Sequence, residues 1–117
     1  MSKDYRTITQ DISAYMRELR GLQPEAMKGF SALAQAAGAE GALDKKSKEF
    51  IALAIGITQR CDGCIGFHAK ALAGLGATRE EIAEVAALSV YMGGGPALMY
   101  AADALRAFDQ FATPAAA

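Results

Sequence analysis

Apolar residues in this chain return every three to four positions, in blocks separated by glycine, proline and short polar breaks. Ile8, Ile12, Tyr15, Met16 and Leu19 fall on one face of a first helix, and Gly21 is expected to stop it. Pro24 suits the first turn of a second, with Met27, Phe30, Leu33 and Ala34 on one face and Gly38 as an expected left-handed terminator. After a Gly/Ala connector, Asp44 can cap a third helix that carries Phe50, Leu53, Ala54 and Ile57 and ends near Cys61. A fourth begins at Asp62 or Cys64 and runs to Leu75, where Gly76 stops it. Thr78 followed by Glu81 is a capping box for a fifth, which Ile82, Val85, Ala86 and Leu88 or Ser89 continue to about Met92. Gly93 to Pro96 breaks it, and Pro96 opens a sixth helix through Leu98, Ala102, Leu105 and Phe108. No segment sustains the two-residue alternation of a strand. The pattern predicts an all-α fold of about six helices in antiparallel helical hairpins, one domain over residues 1–112, and a frayed tail over 113–117.

Composition narrows the function. The chain has 117 residues, room for one core of ordinary size. Its 12 Lys and Arg against 13 Asp and Glu leave a net charge of −1, so no basic excess exists to bind nucleic acid or an anionic membrane. The longest apolar run, FIALAIGI at residues 50–57, falls far short of the roughly 18 residues of a spanning helix. The opening MSKDYRTITQD is charged and lacks the apolar core of a secretory signal, so a cytoplasmic location is expected. Hydrophobic residues make up 52 %, with 12 Gly besides, where soluble domains reach roughly 45–50 % with glycine included. A chain this small buries that surplus best against copies of itself, so a homo-oligomer is expected, its interface on the first and sixth helices. The alternative is that alanine inflates the count. Tyr15, Met16, Met27 and Phe30 read as core, whereas Tyr91, Met92, Met99 and Tyr100 read as either a site entrance or a subunit contact.

The chemistry concentrates in Cys61-Asp62-Gly63-Cys64-Ile65-Gly66-Phe67-His68, which holds both thiols and the only imidazole. At about 100° and 1.5 Å per residue, Cys64 and His68 share a helix face one turn apart. A helix N-terminus favours a thiolate, and an imidazole beside a sulfur can accept its proton. Three readings follow. One thiol attacks a peroxide and the other closes a disulfide, which makes a thiol peroxidase. Alternatively Cys61, Cys64 and His68, with Glu49 or Asp62, hold Zn in an interaction module, a set that lacks an obvious fourth ligand. In the third reading both cysteines and His68 are buried structural residues. Lesser signals read blandly: Gly93–Gly95 as a closely packed helix break rather than an anion loop, and Lys45, Lys46 and Lys48 as a solvated helix start.

A Glu twelve residues before C-x2-C-x3-H (Glu49, Cys61, Cys64, His68), the GATREEIAEV run from Gly76 to Val85, and the GGGPA break from Gly93 to Ala97 together resemble the alkylhydroperoxidase D (AhpD)-like branch of the carboxymuconolactone decarboxylase superfamily. The resemblance implies an all-α fold, peroxide reduction by the cysteine pair without a cofactor or metal, and trimers or hexameric rings. It gives Cys64 the attacking role and Cys61 the resolving one, with Glu49 and His68 relaying protons. It further implies a hydroperoxide substrate and a dithiol or lipoyl-type reductant. A general disulfide reductase and a cofactor-free decarboxylase-like lyase are the alternatives, the lyases of the superfamily lacking the paired cysteines. The chain departs from the pattern at Gly63, where the best-studied members carry a second histidine.

Glu49 raises a geometric difficulty. On a straight helix it would stand about 18 Å from Cys61, and the return from Cys64 to His68 recovers only about 6 Å. The helices must therefore cross steeply, or the third must end early, or the relay must include water or a neighbouring subunit. Otherwise Glu49 is a solvated helix glutamate.

Overall fold

The computed structural model describes residues 2–113, so of the expected frayed tail residues 114–117 lie outside the described residues. Among the described residues six helices follow one another: α1 (Tyr5–Leu22), α2 (Pro24–Gly38), α3 (Lys45–Thr58), α4 (Asp62–Gly74), α5 (Arg79–Gly93) and α6 (Gly95–Ala112). No strand occurs among the described residues, and no described helix is long and apolar enough to cross a membrane.

The ends of these helices are set by local chemistry. Asp44 caps α3 by accepting from the Ser47 backbone N–H at 2.7 Å. Thr78 and Glu81 form the reciprocal box at the start of α5, with bonds of 3.1 and 2.8 Å. Asp4 caps α1 on the Arg6 N–H at 3.0 Å. Two expected stops are corrected. Gly21 does not end α1, which continues to Leu22; the break is Gln23, driven from helical geometry (φ −135°, ψ 63°) by the ring of Pro24 behind it. Gly38 is not left-handed: α2 leaves through extended Ala39, and the Lys48 ammonium takes the carbonyls of Ala37 and Ala39, supplying what a left-handed cap would have supplied. With Lys46 paired to Glu81 at 3.1 Å, the lysine-rich start of α3 braces neighbouring helices instead of merely facing solvent.

The antiparallel hairpins α3–α4 and α5–α6 stack on one another. Their core is Leu53 and Ile57 of α3, Ile65, Ala69 and Leu72 of α4, Ile82 of α5, and a stripe of Ala97, Ala101, Ala104, Ala107 and Phe108 along α6. The buried face of α6 thus lies one position off the expected Leu98/Ala102 line, and Leu98 is half-exposed. Alanines win the inner face because they allow a close approach of helix axes that leucines would hold apart. Between the hairpin halves α5 and α6, Gly94 turns at φ +76°, and a Cβ on Gly93 would meet that of Ala97 at 2.7 Å. A closely packed break is what stands there.

Helix α1 crosses the α4–α6 face, and Tyr5 at its start is fully buried. Its far end and α2 form an arm. Tyr15 and Phe30, expected in the core, are 71 % and 67 % exposed, Met16 is also exposed, and α2 has no buried residue. Helix α6, expected with α1 to carry a subunit interface, packs five buried residues against the bundle. Helix α2, not a terminal helix, is the least buried: it meets α1 and, through the Lys48 ammonium, the start of α3, but has no buried residue of its own.

Candidate active site

Both cysteines stand at the start of α4. Arg60 adopts a left-handed conformation (φ 59°), which turns the chain so that the Cys61 N–H reaches the carbonyl of Gly56 at 3.0 Å. A non-glycine residue there costs of order 1 kcal/mol and persists only where its surroundings demand it. Cys61 is consequently the N-cap residue, not part of the helix, and its sulfur accepts from the Cys64 N–H at 3.1 Å. The two are joined as a disulfide, their Cα atoms 5.2 Å apart. The backbone of α3 closes on this pair: a Cβ on Gly56 would lie 3.0 Å from that of Cys64.

His68 lies one turn beyond Cys64, and its Nδ1 meets Glu49 Oε2 at 2.6 Å. The early ending of α3 resolves the distance problem. With α3 over at Thr58 and α4 starting at Asp62, Glu49 and His68 stand nine and six residues from the turn, about 13.5 and 9 Å along antiparallel axes. The side chains span the remainder. Glu49 is mostly buried, with 20 % of its side chain exposed, and is therefore not a solvated helix glutamate. A carboxylate on Nδ1 fixes the imidazole tautomer and leaves Nε2 to accept a proton. Among the described residues no hydrogen bond links the imidazole to either sulfur. Cys64 and His68 instead line a common cavity of about 210 Å³ with Ala52, Ile55, Gly56 and Gln59. A second, mostly apolar hollow of about 490 Å³ between α2 and α3 shares Ala52, Ile55 and His68 with it and reaches Glu49. None of Tyr91, Met92, Met99 and Tyr100 lines either space.

The side of the pair away from His68 belongs to Asp62, read from the sequence only as a possible metal ligand, and to Tyr5 and Lys3, which the sequence did not single out. Asp62, between the cysteines, accepts from the buried Tyr5 hydroxyl at 2.8 Å and from the Lys3 ammonium at 3.0 Å. Lys3 also pairs with Asp103 at 2.8 Å and stands over the Tyr100 ring. Burial, and then the bond to Asp62, raise the Tyr5 hydroxyl far above the ordinary phenol range. The hydrogen bond to Asp103 raises Lys3. No pattern in the sequence marks a tyrosine at a helix start as a partner of residue 62. At Gly63 a Cβ would lie 3.0 Å from Ile12 Cδ1 of α1, so a side chain there would have to displace the end of Ile12. Among the described residues no group of three or more His, Cys, Asp or Glu side chains is arranged to hold a metal ion.

Residues 24–107 match the model of the carboxymuconolactone decarboxylase family. An uncharacterized protein of Cupriavidus necator is 40 % identical over 109 residues, 93 % of this chain and 96 % of that protein. Another, from the cox locus of Paracoccus denitrificans, is 38 % identical over 69 % of this chain and 73 % of its own length. The crystal structure of the apo form of a carboxymuconolactone decarboxylase family protein from Legionella pneumophila superposes with a TM-score of 0.92 at 54 % identity, covering 96 % of this chain and all of that one.

Proposed function

Since the chain belongs to the carboxymuconolactone decarboxylase family, we propose that it is a thiol-dependent peroxidase that cycles between a Cys61–Cys64 dithiol and the disulfide. The observation that carries this reading is the pair itself: two cysteines at disulfide distance at the start of α4, beside a carboxylate-held imidazole on the same helix. In the reduced chain the Cys64 thiolate attacks the outer oxygen of a hydroperoxide. The S–O bond forms as the O–O bond breaks, and the alkoxide leaves as an alcohol after taking a proton. Cys61 then attacks the Cys64 sulfur, forming S–S and breaking S–O, and the departing hydroxide leaves as water. A dithiol of the dihydrolipoyl kind supplies the two electrons and two protons that reopen the bridge. His68, oriented by Glu49, takes the thiol proton and returns one to the leaving oxygen across the shared cavity, through water or the substrate. No cofactor or metal takes part.

Cys64 is the attacker in this scheme because it lines the cavity that His68 lines, whereas Cys61 does not. The test is peroxide consumption by the reduced chain with a panel of dithiols, dihydrolipoamide included. Cys61→Ser should consume one equivalent and stop as a dimedone-trappable sulfenic acid, and Cys64→Ser should consume none. Label on Cys64→Ser alone would reverse the roles, and dithiol turnover without peroxide consumption would favour a general disulfide reductase.

We further propose that the chain works as a homo-oligomer, a trimer or hexamer. What supports this is the arm: a helix of 15 residues with no buried side chain is not self-sustaining in water.

A further inference from the structure

Asp62 places a carboxylate on the residue between the two cysteines, one of which must ionise in the reaction. A negative neighbour opposes a thiolate, and in isolation would cancel much of what the start of α4 contributes. The chain meets this with a contact that spans more than fifty residues. The Tyr5 hydroxyl and the Lys3 ammonium both donate to Asp62 Oδ1, at 2.8 and 3.0 Å. Neither donor is loosely placed. Tyr5 is fully buried, and its backbone N–H donates to Gln110 Oε1 at 2.7 Å while Gln110 Nε2 donates to the Lys3 carbonyl at 2.9 Å. Lys3 is held by a second carboxylate, Asp103, at 2.8 Å. Lys3, just before α1, and Tyr5, at its start, thus converge on the residue between the cysteines, and Asp103 and Gln110 of α6 hold them there.

We propose that Lys3 and Tyr5 are positioning residues for the cysteine pair: they hold the Asp62 carboxylate and offset its charge, so that the reduced pair forms a thiolate more readily. The other charged or titratable groups around α4's start are Arg60 in the turn before it, Asp103 of α6 with Arg106 at 3.8 Å, Tyr100 under the Lys3 ammonium, and Glu49 with His68 on the cavity side. Of these, Asp103 acts on the pair only through Lys3, and Glu49 through His68. The inference deepens the peroxidase reading, since it concerns the thiolate that reading requires, but its test involves no peroxide. A failure here leaves the peroxidase assay untouched, and the reverse holds.

The experiment is a pH titration of thiolate absorbance at 240 nm on the reduced full-length chain. Lys3→Gln should raise the first thiol pKa by about half a unit to one unit, the size expected of one partly screened charge. Lys3→Arg should restore it. Asp62→Asn should lower it, and Lys3→Gln added to Asp62→Asn should raise it by clearly less than in the parent, because Lys3 then no longer holds a carboxylate beside the pair and its charge stays on Asp103. A merely structural role for Lys3 would move the melting temperature and not this pKa. An unchanged pKa in Lys3→Gln, or the same rise with and without Asp62, overturns the proposal. Should Lys3→Gln not fold, Asp62→Asn decides alone: an unchanged or raised value overturns it.

Discussion

Gly66→Ala tests whether α1 is seated on α4 as described, and so whether Tyr5 can reach Asp62. A Cβ at Gly66 would lie 2.6 Å from Thr9 Cγ2 and 3.2 Å from Tyr5 Cδ1, where ordinary carbon contacts are about 3.5–4.0 Å. Neither neighbour yields easily. The Thr9 hydroxyl donates to the Tyr5 carbonyl at 2.8 Å, and the Tyr5 ring is held through its hydroxyl on Asp62. Helix α1 must therefore lift by about 1 Å, an overpacking cost of about 1–3 kcal/mol. Alanine returns about 0.5–1 kcal/mol by restricting the unfolded chain, which leaves a net loss of at most about 2.5 kcal/mol and about 1–2 kcal/mol for a mid-range overpacking cost. Gly74→Ala, at the other end of the same helix, is the control. Nothing lies within 4 Å of its Cβ position, so it should gain about 0.5 kcal/mol. At roughly 4 °C per kcal/mol for a chain of this size, the two variants should melt about 6–10 °C apart, with Gly66→Ala below the parent. Melting followed by circular dichroism measures this. A Gly66→Ala protein as stable as Gly74→Ala would refute the seating of α1.

Glu49→Gln keeps the shape of the site but removes the charge that holds His68, and should slow peroxide consumption by about 10- to 100-fold with little change in melting temperature; full activity would exclude Glu49 from the relay. Tyr5 and Lys3 both have folded-state pKa values raised above their ordinary values of 10.0 and 10.5. The stability they contribute is fully present below about pH 10 and is lost as the pH rises beyond it, because the unfolded chain then releases protons that the folded one retains. Melting temperatures from pH 8 to 11 should fall more steeply in the parent than in Tyr5→Phe, and equal slopes would count against the buried Tyr5–Asp62 bond. Light scattering should give a mass several times the 12.2 kDa of the chain, and Phe30→Glu should reduce it; a parent protein monomeric at all concentrations would rule out self-association.

What the sequence determined by itself was most of what depends on near neighbours along the chain. Six helices are legible because each has its own apolar period and its own punctuation: the Asp44 cap, the Thr78–Glu81 box, the Gly93–Pro96 break. The pairing of Cys64 with His68 is likewise a property of one helix turn. Even the stops that failed did so locally, since Pro24 overrides Gly21 and a lysine does the work expected of Gly38. The tertiary structure decided what depends on the angle and depth at which helices meet. Glu49 reaches His68 only because a left-handed Arg60 lets α3 end three residues before Cys61, a turn whose conformation no periodicity encodes. The alanine stripe of α6 became the inner face, and Tyr15 and Phe30 the outer, because close approach favours small side chains and the α1–α2 arm leaves the bundle. Tyr5 and Lys3 meet Asp62 across 57 and 59 residues of chain, and a contact of that range is created by packing: nothing in the spacing of either partner registers the other.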